Sequence, residues 1–198
     1  MKTVAILIPT RKRVNRLIET IKSIIETTKD ASVEICLRVD GDDNETMLAI
    51  PYIFSLFPNT RVLIGQRMGG YLSLSAFYNE LSKVCDARWI FIMNDDITLE
   101  GCGWVEQLER ISTTGVLVWP ECYQLGGSRY ETHGSAYVCP IVPNRCWDQF
   151  GRTEPGTPID VWFTNVLRNG HNWRTEVLKG LTVNHNRDAD EEIAKHRQ

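Results

Sequence analysis

Four apolar runs, "TVAILIP" (3–9), "VEICLRVD" (33–40), "RVLIG" (61–65) and "ARWIFIMN" (87–94), are separated by stretches of helical period. Leu17, Ile18, Ile21, Ile24 and Ile25 recur at helical spacing between Val14 and about Thr28. Residues 47–57 continue that pattern despite Pro51, and residues 71–84 carry Leu74, Phe77, Tyr78 and Leu81 on one face. Strand and helix alternating in this way predict α/β architecture, with a mainly parallel central sheet and helices on both faces. The runs are apolar nearly throughout, as strands buried on both faces must be. At 198 residues the chain is long enough for one domain with a full core.

In sheets of this kind ligands bind beyond the carboxyl ends of the strands. That rule gathers Thr10 and Arg11, Asp40 and Gly41, Arg67 with Gly69 and Gly70, and Asp95 with Asp96 at one edge. The last pair asks for an explanation, because adjacent carboxylates repel and neither suits a core. An Asx turn is one answer, a hard cation collecting carboxylates the other. Arg11, Lys12, Arg13 and Arg16 form a basic run just after the first strand; it reads as a solvated helix face or as an anion site.

Beyond residue 100 the pattern loosens. A helix is expected over Trp104–Ile111 and strands at "GVLVWP" and "GSAYVCPIV". A short helix should follow at Asn144–Phe150, a helix in "GTPIDVWFTNVLRNG", and a last strand at "LTVNH". "ECYQLGGSRYETHG" (121–134) reads as a polar loop of the kind that sets specificity on a rigid scaffold, with His133 a candidate acceptor contact. Trp104, Trp119, Tyr123, Tyr130, Trp147, Trp162 and Trp173 are dense here, as core or as a sugar-stacking platform. The formal net charge of −3 gives no general attraction to nucleic acid or anionic membrane. No run approaches the roughly 20 apolar residues of a membrane helix, and no signal peptide is read at the start. The six cysteines show no Cys-x-x-Cys pair, so a reduced, cytoplasmic chain is expected. Zinc on Cys139 and Cys146 with a histidine is the minor alternative.

A strand ending in Pro-Thr, a strand ending in Asp-Gly and an apolar strand ending in an acidic cluster, in this order, resemble a GT-A glycosyltransferase, most like the family 2 group. An Asp before a helix that ends in Gly, and a His after a strand, extend the resemblance over roughly residues 3–186. It implies a single GT-A (nucleotide-diphospho-sugar transferase) domain over 1–198, with a nucleotide-binding half at 1–99, an acceptor-binding half at 100–186 and a charged tail at 187–198. It also implies a nucleotide-sugar donor, a UDP-sugar favoured, and Mn²⁺ or Mg²⁺. Pro9, Thr10 and Arg11 would border the base, Asp40 would accept a hydrogen bond from it, and Arg67 would lie near the base or the diphosphate. Asn94, Asp95 and Asp96 fall at the DxD-like motif, with Asp96 on the metal and Asp95 on the ribose or the metal. Asp160 matches the general base of an inverting displacement, and His185 a histidine that completes the metal shell.

The chain departs from that pattern at Asn94, which replaces the first Asp, at Ile159 where Glu commonly precedes the base, and at Trp162 where a second Asp often follows. From the residues alone, Asp160 also reads as a helix N-cap and His185 as a structural histidine. Two rival functions remain at this level. A nucleotidyltransferase would carry a glycine-rich loop after the first strand, and "PTRKRVNR" has no glycine. A non-catalytic nucleotide-sugar or carbohydrate-binding module would show the losses at Asn94 and Ile159. The acceptor stays open among a glycan, a lipid-linked saccharide, a protein and a modified nucleic-acid base.

Overall fold

The computed structural model describes residues 1–29, 32–69, 73–125, 128–131, 139–150 and 159–185, without the side chains of Asp148, Asp160 and Thr164. The expected sites Gly70 and His133 and the tail after 185 lie outside the described residues. The first half follows the alternation: β1 (Lys2–Thr10), α1 (Val14–Thr28), β2 (Val33–Asp40), α2 (Asn44–Leu56), β3 (Thr60–Gly65), α3 (Leu74–Leu81) and β4 (Ala87–Ile92). The second half adds β5 (Ile97–Glu100), α4 (Trp104–Arg110), β6 (Val116–Leu125), β7 (Ser128–Glu131) and β8 (Ile141–Pro143). It ends with α5 (Cys146–Phe150), α6 (Ile159–Phe163) continuing as a π-helix over Thr164–Gly170, and β9 (Arg174–His185).

These strands form one sheet in the order β3-β2-β1-β4-β8-β6-β9-β5, with β7 on β6. β1 through β4 pair in parallel, whereas β8, β5 and β7 join antiparallel and β9 runs parallel to β6. The sheet is therefore parallel in its first half and mixed in its second. Strand period explains how it is covered. Val4, Ile6 and Ile8 face one layer with Leu17, Ile21 and Ile24 of α1, Ile53 of α2 and Trp104 and Leu108 of α4. Ala5 and Leu7 face the other, with Tyr78 and Leu81 of α3 and Phe163 and Leu167. Helices cover both faces, as expected.

Two local departures from the sequence reading have physical causes. α2 starts at Asn44, three residues before the expected Met47, because the Asp43 carboxylate caps it, accepting from Thr46 N at 3.1 Å. Pro51 sits inside this helix on its exposed side, as the pattern over 47–57 required. The second departure is larger. The stretch after the acidic pair, "ITLE", is a strand of its own, and the expected polar loop 121–134 opens as a strand continuation and a β6–β7 pairing (Cys122↔Glu131 to Leu125↔Ser128). Their polarity hid them, because hairpin and edge strands carry polar outer faces.

Candidate active site

The strand order 3-2-1-4 puts a topological switch between β1 and β4, where successive connections leave in opposite directions and a crevice opens. Thr10 and the segment to Arg13 rise from β1 on one side of it, Asn94 to Asp96 from β4 on the other. Leu7 O accepts from Met93 N at 3.1 Å, so Pro9, two residues on, presents its main chain where β4 has already ended. A proline fits there because no ladder partner awaits its missing N–H.

At the switch the two carboxylates are held by neighbours from three elements. Thr10 Oγ1 donates to Asp95 Oδ2 at 2.8 Å, and Thr20 Oγ1 of α1 donates to the Asp95 main-chain oxygen at 3.1 Å. Arg13 Nη1 bridges the pair, 3.1 Å from Asp95 Oδ1 and 3.2 Å from Asp96 Oδ2. Burial pushes Asp95 up to about 6; Arg13 and Thr10 pull against it, and the charge on Asp96 adds to it. For Asp96 burial also raises the value, but His185 and Arg13 outweigh it and hold the carboxyl below its ordinary range. The two acids are thus driven apart: one is reluctant to ionise, the other a firm anion.

His185 reaches this point through β5. Ile97 pairs with His185 across the antiparallel β5–β9 ladder, which brings the imidazole beside Asp96. Its Nε2 stands 3.5 Å from Asp96 Oδ2 and its Nδ1 2.9 Å from the Tyr123 hydroxyl of β6. The close seating of β5 on β9 depends on Gly101, at φ +106, where an added Cβ would meet Gly180 O at 1.8 Å.

On the β2 side the edge is a chain of guanidiniums and carboxylates. Asp40 Oδ1 accepts from Arg38 Nη1 at 2.5 Å and Asp40 Oδ2 from Arg11 Nη1 at 3.0 Å. Arg11 also clasps Asp42 with both its terminal nitrogens, which raises the guanidinium's affinity for its proton and lowers that of Asp42. Arg67 approaches the same Asp42 at 3.8 Å and is otherwise open to solvent. Arg38 is only 2% exposed, stacked over Phe77 and bonded to Glu80 Oε2 (3.0 Å) and Gln66 O (2.5 Å). Gly65 makes room for it, since a Cβ there would come within 2.6 Å of Arg38 Nη2.

Of the expected residues, Pro9, Thr10, Arg11, Asp40, Asp95, Asp96 and His185 are brought to this edge, with Arg67 at its exposed end. Asp160 stands second in α6, and its side chain lies outside the described residues. Asn94 Oδ1 is bound by the Tyr78 hydroxyl of α3 at 2.8 Å, so the neutral residue at the head of the acidic motif is engaged by the scaffold. Arg38 and Thr20 were not singled out as site residues from the sequence; Arg13 was read only within the basic run, and Tyr123 only among the aromatics. Arg38 carried a signal: a charge inside an otherwise apolar strand must find partners. Among the aromatics, Trp104, Trp119 and Trp162 are core, while Tyr130 is exposed on β7.

A cation finds part of a shell here. Asp96 Oδ1 is buried with no hydrogen-bond partner, the mark of an acceptor waiting for a positive group. Two donors at a right angle on one ion at ~2.1 Å stand roughly 3 Å apart; Asp96 Oδ2 and His185 Nε2 are at 3.5 Å. Among the described residues no three His, Cys, Asp or Glu side chains form a metal-holding group, which bears equally on Cys139 and Cys146. Mg²⁺ and Mn²⁺ take one or two protein ligands and fill the rest with water and phosphate oxygens, so a pair fits them.

No family model matches the chain, and no curated protein matches it by sequence. Solved structures do. The mannosyltransferase PcManGT from Pyrobaculum calidifontis, in complex with GDP-Man and Mn²⁺, superposes with TM-score 0.68 at 11% identity, over 92% of this chain and 56% of that one. S. aureus TarS 1-349 in complex with UDP gives TM-score 0.71 at 12% identity, over 98% and 63%. Another structure of TarS 1-349 gives 0.68 at 12%, over 92% and 60%. This chain therefore spans less than two thirds of the length of the chains it matches. What it shares with them is the fold, that of the GT-A glycosyltransferases.

Proposed function

We propose that this GT-A-fold chain is a glycosyltransferase that moves a sugar from a nucleotide-sugar, a UDP-sugar favoured, to an acceptor hydroxyl with inversion at the anomeric carbon, using Mn²⁺ or Mg²⁺. One observation carries the reading. Asp96 offers one buried, unpartnered oxygen, Oδ1, at the β1/β4 switch and turns the other, Oδ2, to His185, in a fold that a solved neighbour combines with GDP-Man and Mn²⁺.

In this reading Pro9, Thr10 and Arg11 border the base, and Asp40 accepts a hydrogen bond from it. The bonds from Arg38 and Arg11 fix the Asp40 carboxylate in orientation. Arg67 reaches over the base or diphosphate, and Asp95 takes the ribose or adds to the metal shell. Asp96 and His185 hold the divalent ion, with Tyr123 on Nδ1 setting the ring so that Nε2 faces Asp96. When bound, the ion would neutralise the charge that gathers on the diphosphate as the sugar–phosphate bond breaks. Asp160 takes the proton of the acceptor hydroxyl as that oxygen attacks from the side opposite the diphosphate, a contribution of order 10²–10⁴ in rate. A cytoplasmic setting goes with six free thiols; no described helix is long and apolar enough to cross a membrane.

The test is calorimetric titration of UDP and GDP, with and without Mn²⁺, into the wild type and Asp96→Ala. One nucleotide should bind in a metal-dependent way that the variant loses, after which its sugars are offered in transfer assays. If neither nucleotide binds, or the variant binds equally well, the acidic strand end is a turn and the reading fails.

A further inference from the structure

Arg13 occupies the place where the two acids meet. Its Nη1 is shared between Asp95 Oδ1 and Asp96 Oδ2, and Asp96 Oδ2 is the same oxygen that His185 Nε2 approaches. Asp96 is 5% exposed, yet its other oxygen has no partner. A buried carboxylate half satisfied is costly, and a guanidinium on one oxygen leaves that cost standing. A divalent cation shared between Asp96 and His185 would bind beside Oδ2, the oxygen that both His185 Nε2 and Arg13 Nη1 approach, and two cations cannot crowd one oxygen without strong repulsion.

Arg13 has somewhere else to go. It sits at the N-cap of α1 without capping it through its side chain, which is 24% exposed. The first turn of α1 carries no acidic residue of its own.

We propose that Arg13 is an exchangeable counter-cation. Without donor it holds Asp95 and Asp96 together; when cation and nucleotide arrive together, it leaves Asp96 for the donor's diphosphate. Metal alone would have to expel Arg13 with no anion to receive it, so metal binding is coupled to nucleotide binding through this side chain. The proposal rests on the nucleotide-sugar reading of the site.

Free Mn²⁺, followed by its electron paramagnetic resonance signal, is titrated with wild type, Arg13→Gln and Arg13→Lys, alone and with saturating UDP or GDP. Thermal melts confirm that each variant is folded. Arg13→Gln should bind Mn²⁺ alone about tenfold tighter than wild type, and the nucleotide's enhancement of Mn²⁺ affinity should shrink by a similar factor. Arg13→Lys, which keeps the charge, should stay near wild type in Mn²⁺ alone. Unchanged or weaker Mn²⁺ binding by folded Arg13→Gln overturns the proposal while leaving the glycosyltransferase reading intact. Should Arg13→Gln not fold, wild type and Arg13→Lys decide: equal Mn²⁺ affinity with and without nucleotide in the wild type overturns it, and strong enhancement kept in Arg13→Lys supports it. No nucleotide binding by wild type under any condition removes the reading beneath it.

Discussion

Asp95 and Arg38 show what burial does to single charged residues in this molecule. Burial holds the Asp95 carboxyl at about 6 against an ordinary 3.8. At this residue the folded state therefore holds its proton where the unfolded chain has lost it, and the contribution of Asp95 to stability falls as pH rises through that window. Urea denaturation at pH 4.5 and pH 7 checks this: the stability of Asp95→Asn relative to wild type should improve at the higher pH, and the opposite trend would refute the assignment. Arg38 is a case of the other kind, a buried cation whose charge is matched by Asp40 and Glu80. Arg38→Met would leave the Asp40 carboxylate, itself 4% exposed, with Arg11 alone of its two guanidinium partners, and should cost about 3 kcal/mol in the same assay.

At the scale of elements, β5 decides the site. Four residues, Ile97–Glu100, turn the chain back from the acidic pair and lay it against β9, and that register delivers His185 to Asp96. α1 secures the arrangement from below, with Ser23 Oγ accepting from Leu99 N at 3.0 Å and Thr20 holding the Asp95 main chain. Gly101→Ala strikes at this seam through both its positive φ and its contact with Gly180. It should destabilise the fold by more than about 1 kcal/mol and weaken Mn²⁺ binding in the presence of nucleotide beyond what the stability loss explains. An Ala variant as stable as wild type in urea would show that β5 is not seated as described.

The whole molecule is a sheet whose carboxyl edge concentrates charge in one crevice, with separate apolar layers on its two faces. Ligand that binds only the folded state stabilises it by mass action, about 2.7 kcal/mol at a hundredfold excess over Kd. For a chain of this size that is a rise in Tm on the order of 5–10 °C. Mn²⁺ with the preferred nucleotide should produce such a shift in a thermal melt; Mn²⁺ alone should produce far less, because Arg13 stands on Asp96. A shift of equal size with Mn²⁺ alone would contradict the coupling.

The first-half fold was legible because its signals are local. Apolar runs of strand length, helical spacing of Leu and Ile, and polar strand ends are properties of consecutive residues, and parallel pairing with short connections leaves few ways to assemble them. Thr10, Arg11, Asp40, Asp95 and Asp96 could be placed at one edge for that reason. What the sequence could not determine is which distant groups answer those charges. Whether Arg13 or Arg11 turns inward depends on the path of the chain at Lys12, which takes a positive φ. Arg38 could be read as an interior charge, but not as the partner of Asp40, Glu80 and Gln66. His185 could be read after a strand, but only the pairing of "ITLE" with β9, a register set by long-range packing and a glycine contact, puts it on Asp96. Local patterning dictates elements because it acts through neighbouring backbone; the balance of buried charge is settled by groups far apart in sequence, and only tertiary structure brings them within reach.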